Sequence, residues 1–156
     1  MQLTMMGEYA IRAVFHICGS EYGTVFQISD IAKENSIPDN FLRKIVPLLC
    51  KAKILSTIRG ASGGVKLQKK SFEITPLHIV EATEGRMALN KCLLHNELCE
   101  NEKWCSMHFL WAEAQKKIKE TLSQKNFEQL VTENKDRLAR LNSKHINVKP
   151  RTKKQE

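Results

Sequence analysis

The sequence predicts a mainly α-helical protein with a small β-hairpin. Three observations support this fold class. Apolar residues recur at helical spacing through the first fifty residues, a β-branched segment at 54–58 precedes a glycine-rich turn, and a second apolar stripe runs along residues 107–122. Three helices followed by a hairpin form a winged helix-turn-helix, and the stripe predicts a long helix after it.

The first three helices are predicted from apolar spacing and from the residues that interrupt it. The first covers residues 4–19, the second covers 28–34, and the third starts at about Asp39 after the turn at 35–38. The apolar face of the third helix consists of Phe41, Leu42, Ile45, Leu48 and Leu49.

The hairpin is predicted from two short strands at 54–58 and 65–67, joined by a turn at 59–64 whose three glycines tolerate positive φ. In a winged helix-turn-helix, the third helix enters the major groove of DNA and the wing reaches the neighbouring backbone or minor groove. The residues that we expect to contact bases or phosphates are Asn40, Arg43, Lys44, Arg59, Ser62 and Lys66, with Lys51, Lys69 and Lys70. Each charge taken singly is more often a solvated side chain.

The segments after the hairpin differ in character. Thr75 and Pro76 open a helix that Gly85 stops. We expect a DNA-binding domain at 1–84, a cysteine-bearing loop at 85–108, a long helix with a short last helix at 109–134, and a basic, disordered tail at 135–156. The stripe on the long helix is made of Met107, Leu110, Trp111, Ala114, Ile118 and Leu122. It favours a homodimer, although it would also suit packing on its own domain.

Composition and charge narrow the class of protein. The 156 residues are 42% hydrophobic and 27% charged, as in soluble globular proteins, and no run of about 18 apolar residues is present. Glu8 and Arg12 interrupt the apolar N-terminal stretch, so we expect a cytoplasmic protein without a signal peptide. The net charge of +8 is concentrated in the first 72 residues and in the tail. This distribution suits a polyanion partner and a merely solubilising surface about equally.

Three of the five cysteines cluster at C-x6-C-x5-C, as Cys92, Cys99 and Cys105, and His108 lies one helical turn beyond the last. Thiolates are soft ligands, and zinc sites more often use C-x2–4-C pairs, so this wider spacing suits a cluster with several iron atoms. Zinc and free cysteines remain alternatives. His95 is a competing ligand, more typical of a loop residue.

The two remaining cysteines have a simpler interpretation. Cys18 falls on the apolar face of the first helix, and Cys50 falls at the end of the third. We expect both to be inert core thiols.

These features together resemble the bacterial IscR/NsrR family of winged-helix regulators, which also includes RirA- and CymR-type members. The resemblance spans nearly the whole chain. It rests on Leu3-Thr4, Gly7 to Ala13, Ile31-Ala32, Ile37-Pro38, Phe41-Leu42, Lys51-Ala52, Arg59 to Gly64, Glu73 to Thr75, Glu81 to Gly85, the three clustered cysteines, His108 and Trp111.

The resemblance implies a homodimeric transcriptional regulator whose DNA binding depends on an Fe–S cluster, [2Fe–2S] or [4Fe–4S]. Cys92, Cys99 and Cys105 match the cluster cysteines, and His108 matches the histidine ligand of the IscR-like branch. Glu8 matches the N-terminal carboxylate that other branches supply from the partner subunit.

Several positions depart from the family pattern. Pro47 lies inside the third helix, where we expect it to introduce a kink. Arg43 replaces an acid of the IscR-like branch, Lys53 stands where a glycine usually ends this helix, and Ser62 replaces a wing glycine. The first cysteine gap is one residue longer than in that branch.

The function expected from the sequence is therefore a repressor that binds a pseudopalindromic operator and senses nitric oxide, iron or redox state. We do not expect an enzyme, because no paired carboxylates, nucleophile motif or phosphate-binding loop is present. A zinc- or thiol-containing redox protein is the alternative, and the lack of a C-x-x-C pair counts against it.

Overall fold

A computed structural model describes residues 3–60, 63–94 and 101–145 of the protein. Within these ranges the chain forms six α-helices, one antiparallel pair of strands and two short 3-10 helices. The elements in chain order are α1 (Met5–Cys18), α2 (Ile28–Glu34), α3 (Asp39–Lys51), β1 (Leu55–Ile58), β2 (Gly64–Leu67), a 3-10 helix (Ser71–Glu73), α4 (Pro76–Glu84), a second 3-10 helix (Lys91–Leu93), α5 (Ser106–Ser123) and α6 (Phe127–His145).

The predicted fold class is confirmed, and the core lies between α1, α3, α4 and the hairpin. Apolar residues from each element are almost fully buried there, including Val14, Ile45, Leu49, Val65 and Ile79. Burying one such side chain contributes roughly 1.5–3 kcal/mol to the free energy of unfolding. The described helices include none with the length and hydropathy needed to cross a membrane.

Helices α2 and α3 end in the same hydrogen-bonded turn. After α2, the amide of Ile37 donates to Ala32 O (2.8 Å) and Ser36 N donates to Lys33 O (3.3 Å). After α3, Ile54 N donates to Leu49 O and Lys53 N donates to Cys50 O, both at 2.9 Å. This is the Schellman motif, in which the first residue past the cap is left-handed. Ser36 (φ 53°) and Lys53 (φ 58°) occupy that position.

The wing is attached to the domain by a third backbone segment. Strands β1 and β2 pair from Leu55 opposite Leu67 to Ile58 opposite Gly64, and Phe26 forms a bridge to Val65 through two 2.8 Å hydrogen bonds. The backbones approach so closely that a Cβ on Gly64 would lie 2.3 Å from Phe26 O. The position of the wing relative to α2 is therefore fixed by backbone contacts.

The C-terminal region differs from the expectation of a short last helix and a disordered tail from residue 135. Helix α6 continues to His145, so residues 135–145 are helical. The reason is that this segment lacks glycine and proline and consists mainly of good helix formers. A capping box opens α6: Asn126 N donates to Gln129 Oε1 (3.0 Å), and Gln129 N donates to Asn126 Oδ1 (2.9 Å).

The start of α6 is anchored in the hydrophobic core formed by the preceding helices and the hairpin. Phe127 is fully buried, its ring lies 6.3 Å from that of Phe15, and its amide donates to Ile74 O (2.9 Å). Further along α6, Leu138 and Leu141 are about half exposed. The helix therefore packs on the domain at its start and leaves its second half exposed.

Candidate nucleic-acid interface and metal centre

The exposed face of α3 carries the predicted reading residues. Asn40, Arg43 and Lys44 are exposed, whereas the opposite face of the helix is buried through Leu42 and Ile45. These side chains lie in the first two turns, the part of a recognition helix that meets base edges. The helix continues through Pro47 to its end, so the proline does not shorten this face.

Arg43 does not stand alone on this face. Its Nε donates to Asp39 Oδ2 (2.5 Å), and its Nη2 lies 3.4 Å from Asp39 Oδ1. Both side chains remain largely exposed, at 60% and 45%. The pair spans one helical turn at i, i+4 spacing, so it orients the guanidinium without burying it.

A surface cleft of about 250 Å³ joins the reading helix to the wing. Arg43 lies on one side, Thr57 and Gly64 of the hairpin lie on another, and Ser29 comes from the start of α2. Gln27, which also lines the cleft, donates from Nε2 to Gly63 O. The three elements of a winged helix-turn-helix thus meet around one polar groove.

The remaining basic residues lie near the wing. Arg59 is exposed at the end of β1, and Lys66 is half-buried in β2 opposite Ser56. The ammonium of Lys70 lies 5.8 Å from the ring centroid of Phe72. Ser62, the other predicted contact on the wing, lies outside the described residues.

The cysteine–histidine site begins at the N-terminus of α5. Cys105 is the N-cap residue, and the amide of His108 donates to Cys105 O (3.0 Å). His108 is only 9% exposed, and among the described residues its Nδ1 has no hydrogen-bond partner. Its Nε2 lies 3.6 Å from Glu102 Oε1. A buried imidazole nitrogen without a partner is costly unless a ligand completes it.

Cys92 lies in the second 3-10 helix, which contacts α5. It is a free, half-buried thiol, as is Cys105. Cys99 and His95 lie outside the described residues, and within the described ranges no three His, Cys, Asp or Glu side chains are gathered as metal ligands. The chemistry of the donors still fits an iron–sulfur cluster, because thiolates and imidazoles are ligands of such clusters and Cys105 and His108 share the start of α5.

Glu8, the alternative ligand, is engaged within its own chain. Its carboxylate accepts a hydrogen bond from Arg12 Nη2 (2.5 Å), and both side chains are about half exposed. Arg12 also donates to Asn35 O (3.2 Å). A role as ligand would require Glu8 to exchange this ion pair for the metal.

Cys18 and Cys50, the two cysteines outside the 92–105 segment, lie in different environments. Cys18 is buried in the core, and burial raises the pKa of its thiol to about 12. Cys50 is half-buried, and desolvation raises its pKa as well. Thiols of high pKa are poor nucleophiles and poor ligands, as expected for these two positions.

Helix α5 contacts its own domain along one side. Lys119 Nζ lies 3.2 Å from Glu81 Oε1 of α4, and Leu89 N donates to Gln115 Oε1 (3.0 Å). Among the described side chains of α5, only His108 is buried. Several apolar side chains stay exposed, namely Met107 (50%), Phe109 (57%), Leu110 (56%) and Trp111 (36%).

The exposed stripe leads to an apolar cavity of about 440 Å³ between α1, α4 and α5. Ile118 and Leu122, which continue the stripe, line one wall, and Ile11 and Val80 line the other. A single chain therefore leaves apolar side chains exposed near the start of α5 and an open apolar cavity beside its second half.

Several residues of these sites were not predicted from the sequence. Asp39 was detectable, since its i, i+4 spacing to Arg43 is that of a helical ion pair. Glu102, Gln115 and Lys119 had no local signal, because their partners are distant in sequence or depend on how α5 packs.

A helix-turn-helix with an exposed, basic third helix, a wing beside it and a following helix with an apolar face define a DNA-binding transcriptional regulator. The chain belongs to the Rrf2 family, whose members are described as iron-dependent transcriptional regulators. The family model matches residues 3–133 of this chain.

Individual relatives agree with this assignment. The HTH-type transcriptional regulator NsrR of Geobacillus kaustophilus is 36% identical over 115 residues, covering 73% of this chain and 78% of the relative. IscR of Photorhabdus laumondii is 30% identical over 132 residues, covering 84% and 79%. Among solved structures, CymR (YrzC), the global cysteine regulator of B. subtilis, shares the fold: it matches with a TM-score of 0.69 at 24% identity, covering 85% of this chain and 97% of that one.

Proposed function

We propose that this protein is a cytoplasmic, homodimeric repressor whose DNA binding is controlled by an Fe–S cluster. The observation that carries the proposal is the buried Nδ1 of His108, which has no hydrogen-bond partner among the described residues and lies one turn from the Cys105 thiol. The likeness to NsrR and IscR supports the same assignment.

The ligands we infer are Cys92, Cys99 and Cys105, with His108 or the partner subunit's Glu8 as the fourth. A bound cluster would supply reactivity toward nitric oxide, oxygen or iron loss. The protein contributes the N-terminus of α5, where Cys105 is the N-cap residue and where the helix dipole would favour a bound anionic group. Glu102 faces the second nitrogen of His108, so it favours the ring orientation that keeps Nδ1 free.

Homodimerisation is supported by the exposed stripe of α5 and by the cavity that continues it. A second copy would cover apolar side chains that a single chain leaves in water. A symmetric dimer presents two reading helices, which suits a pseudopalindromic operator.

The site and the reading helix are linked by packing. Helix α5 is tied to α4 by Lys119 and Glu81, and to the segment after α4 by Gln115 and Leu89. Helix α4 in turn packs against α3. A rearrangement at the start of α5 therefore has a contiguous route to the face that contacts DNA.

The first test is the visible absorption spectrum of the protein purified without oxygen, together with iron and sulfide assays. We expect sulfur-to-iron bands that Cys99→Ala abolishes and that Cys50→Ala, a matched half-buried cysteine outside the site, leaves unchanged. His108→Ala and Glu8→Ala separate the two choices of fourth ligand. A colourless protein that carries zinc, or one that cannot be reconstituted with iron and sulfide, would overturn the proposal of an Fe–S sensor.

The second test is a gel shift with DNA from upstream of the protein's own gene, at rising salt concentration. Binding should weaken steeply with salt, because Lys and Arg contacts to phosphates release counterions. The loaded and cluster-free forms should differ in affinity. Equal affinities would remove the regulatory role of the cluster and leave the DNA-binding function intact.

A further inference from the structure

The pair formed by Asp39 and Arg43 has a chemical consequence for base recognition. The carboxylate of Asp39 contacts the side edge of the guanidinium, through Nε at 2.5 Å and Nη2 at 3.4 Å. That leaves a second edge of the guanidinium, formed by Nη1 and the other hydrogen of Nη2. This edge is a fork of two parallel N–H donors.

Two parallel donors select among base edges in the major groove. Guanine presents two adjacent acceptors, N7 and O6, whereas adenine presents one acceptor beside an amino donor. Cytosine presents a donor and thymine presents one acceptor beside a methyl group. The free fork of Arg43 therefore matches guanine alone among the four bases.

We propose that Asp39 is a specificity-determining positioning residue: it holds the Arg43 guanidinium so that the free edge reads a guanine in each half-site. Asp39 itself acts through Arg43 and needs no contact with DNA. The inference rests on the proposed function only in requiring that the protein binds DNA in a sequence-dependent way.

The backbone around Asp39 is rigid enough to support this role. Asp39 is the first residue of α3, directly after the Schellman turn that ends α2, and Ile37 and Leu42 on either side are buried. An arginine that is already oriented loses less side-chain entropy when it binds. Arg43 also lines the cleft between α2, α3 and the wing, so its orientation is set where the three elements meet.

The charge of Asp39 opposes general affinity. An exposed carboxylate on the face that meets phosphates is repelled by them, so it weakens sequence-independent binding. Removing it should therefore raise affinity for any DNA while lowering discrimination at one base. If Asp39 served only to stabilise the first turn of the helix, its removal would not raise general DNA affinity while lowering base discrimination.

The experiment is selection from a random double-stranded DNA library with the full-length, anaerobically prepared protein, followed by sequencing. The variants are Arg43→Ala, Asp39→Ala, Asp39→Asn and Asp39→Glu. Asp30→Asn is the matched control, because Asp30 is an exposed acid in the first turn of α2. Thermal melting of each variant shows whether it folds.

The wild type should enrich a motif with a guanine whose preference disappears in Arg43→Ala. In Asp39→Ala and Asp39→Asn that preference should fall about three- to tenfold at this position alone, with equal or higher affinity for DNA lacking the motif. Asp39→Glu should restore it, and Asp30→Asn should leave it unchanged.

Other outcomes overturn the inference in distinguishable ways. A guanine preference that needs Arg43 but survives both Asp39 variants would refute the role of Asp39 and leave the regulator function intact. The role of Asp39 would also be refuted if Arg43 selects a base other than guanine. It would likewise be refuted if the Asp39 variants lose preference at every position and melt at a lower temperature. A wild type that enriches no motif would overturn both this inference and the proposed function.

Discussion

Replacing Lys53 with glycine should stabilise this protein, although the substitution removes a side chain and adds none. Lys53 lies in the left-handed region (φ 58°), one residue beyond the cap of α3, and its side chain is exposed. The two Schellman hydrogen bonds around it involve only backbone atoms, so glycine keeps them. This is also a position where the resemblance predicts a glycine at the end of the helix.

The size of the effect follows from two opposing terms. A residue with a Cβ costs about 1–2 kcal/mol in the left-handed region, and glycine removes that cost. Glycine also loses more backbone entropy on folding, which costs roughly 0.5–1 kcal/mol. We expect a net gain of about 0.5–1 kcal/mol, corresponding to about 1–4 °C in melting temperature for a chain of this size.

The assay is urea unfolding followed by circular dichroism, on the wild type, Lys53→Gly and Lys51→Gly. Lys51 is also exposed and is the last helical residue of α3, so its replacement changes the net charge equally. Lys51→Gly should lower the free energy of unfolding by about 0.5–1 kcal/mol, because the backbone at this position is helical. Ser36→Gly (φ 53°) should behave like Lys53→Gly. Equal destabilisation by Lys53→Gly and Lys51→Gly would refute a left-handed conformation at Lys53.

Three further predictions concern the core, the wing and the thiols. Phe127→Ala should lower the free energy of unfolding, measured with urea, by about 3–5 kcal/mol because the ring is fully buried. Leu141→Ala is the control on the same helix: this side chain is 53% exposed, so its loss should change the free energy of unfolding by less than about 0.5 kcal/mol. Gly64→Ala should lower the free energy of unfolding by roughly 1–3 kcal/mol, because the new Cβ would lie 2.3 Å from Phe26 O. It should also weaken DNA binding in gel shifts. Unchanged binding would show that the wing adapts to the added methyl group. Burial raises the pKa of the Cys18 thiol to about 12, so about one part in ten thousand of it should be thiolate at pH 8. We therefore expect iodoacetamide to modify Cys18 only after the protein unfolds, which mass spectrometry of the intact protein would detect.

The same thiol gives the stability of the protein an alkaline limit. The unfolded thiol ionises near its ordinary pKa of 9.0, whereas the buried Cys18 thiol keeps its proton to about 12. Between these values the unfolded chain binds fewer protons, so the free energy of unfolding should fall as pH rises. Cys18→Ala should lessen this fall when urea midpoints are compared at pH 8 and pH 10.

The local elements were predictable because their signals are short-range. Apolar spacing predicted α2 at residues 28–34, its observed bounds, and Thr75 with Pro76 predicted the start of α4. Each of these signals lies within one or two turns of a helix, as apolar spacing or as a residue type suited to the helix start, so the chain specifies it directly. The end of α6 was not predicted, because a basic composition suits both a solvated helix and a disordered tail.

The candidate sites divide in the same way. The chain alone specifies which chemistry is available, through the spacing of Cys92, Cys99 and Cys105, the basic first turns of α3, and a glycine-rich wing. The folded structure is needed to show that His108 is buried with an Nδ1 unpartnered among the described residues, and that Arg43 faces the wing across a cleft. The physical reason is that spacing is a property of the chain, whereas burial and orientation depend on which distant elements pack together.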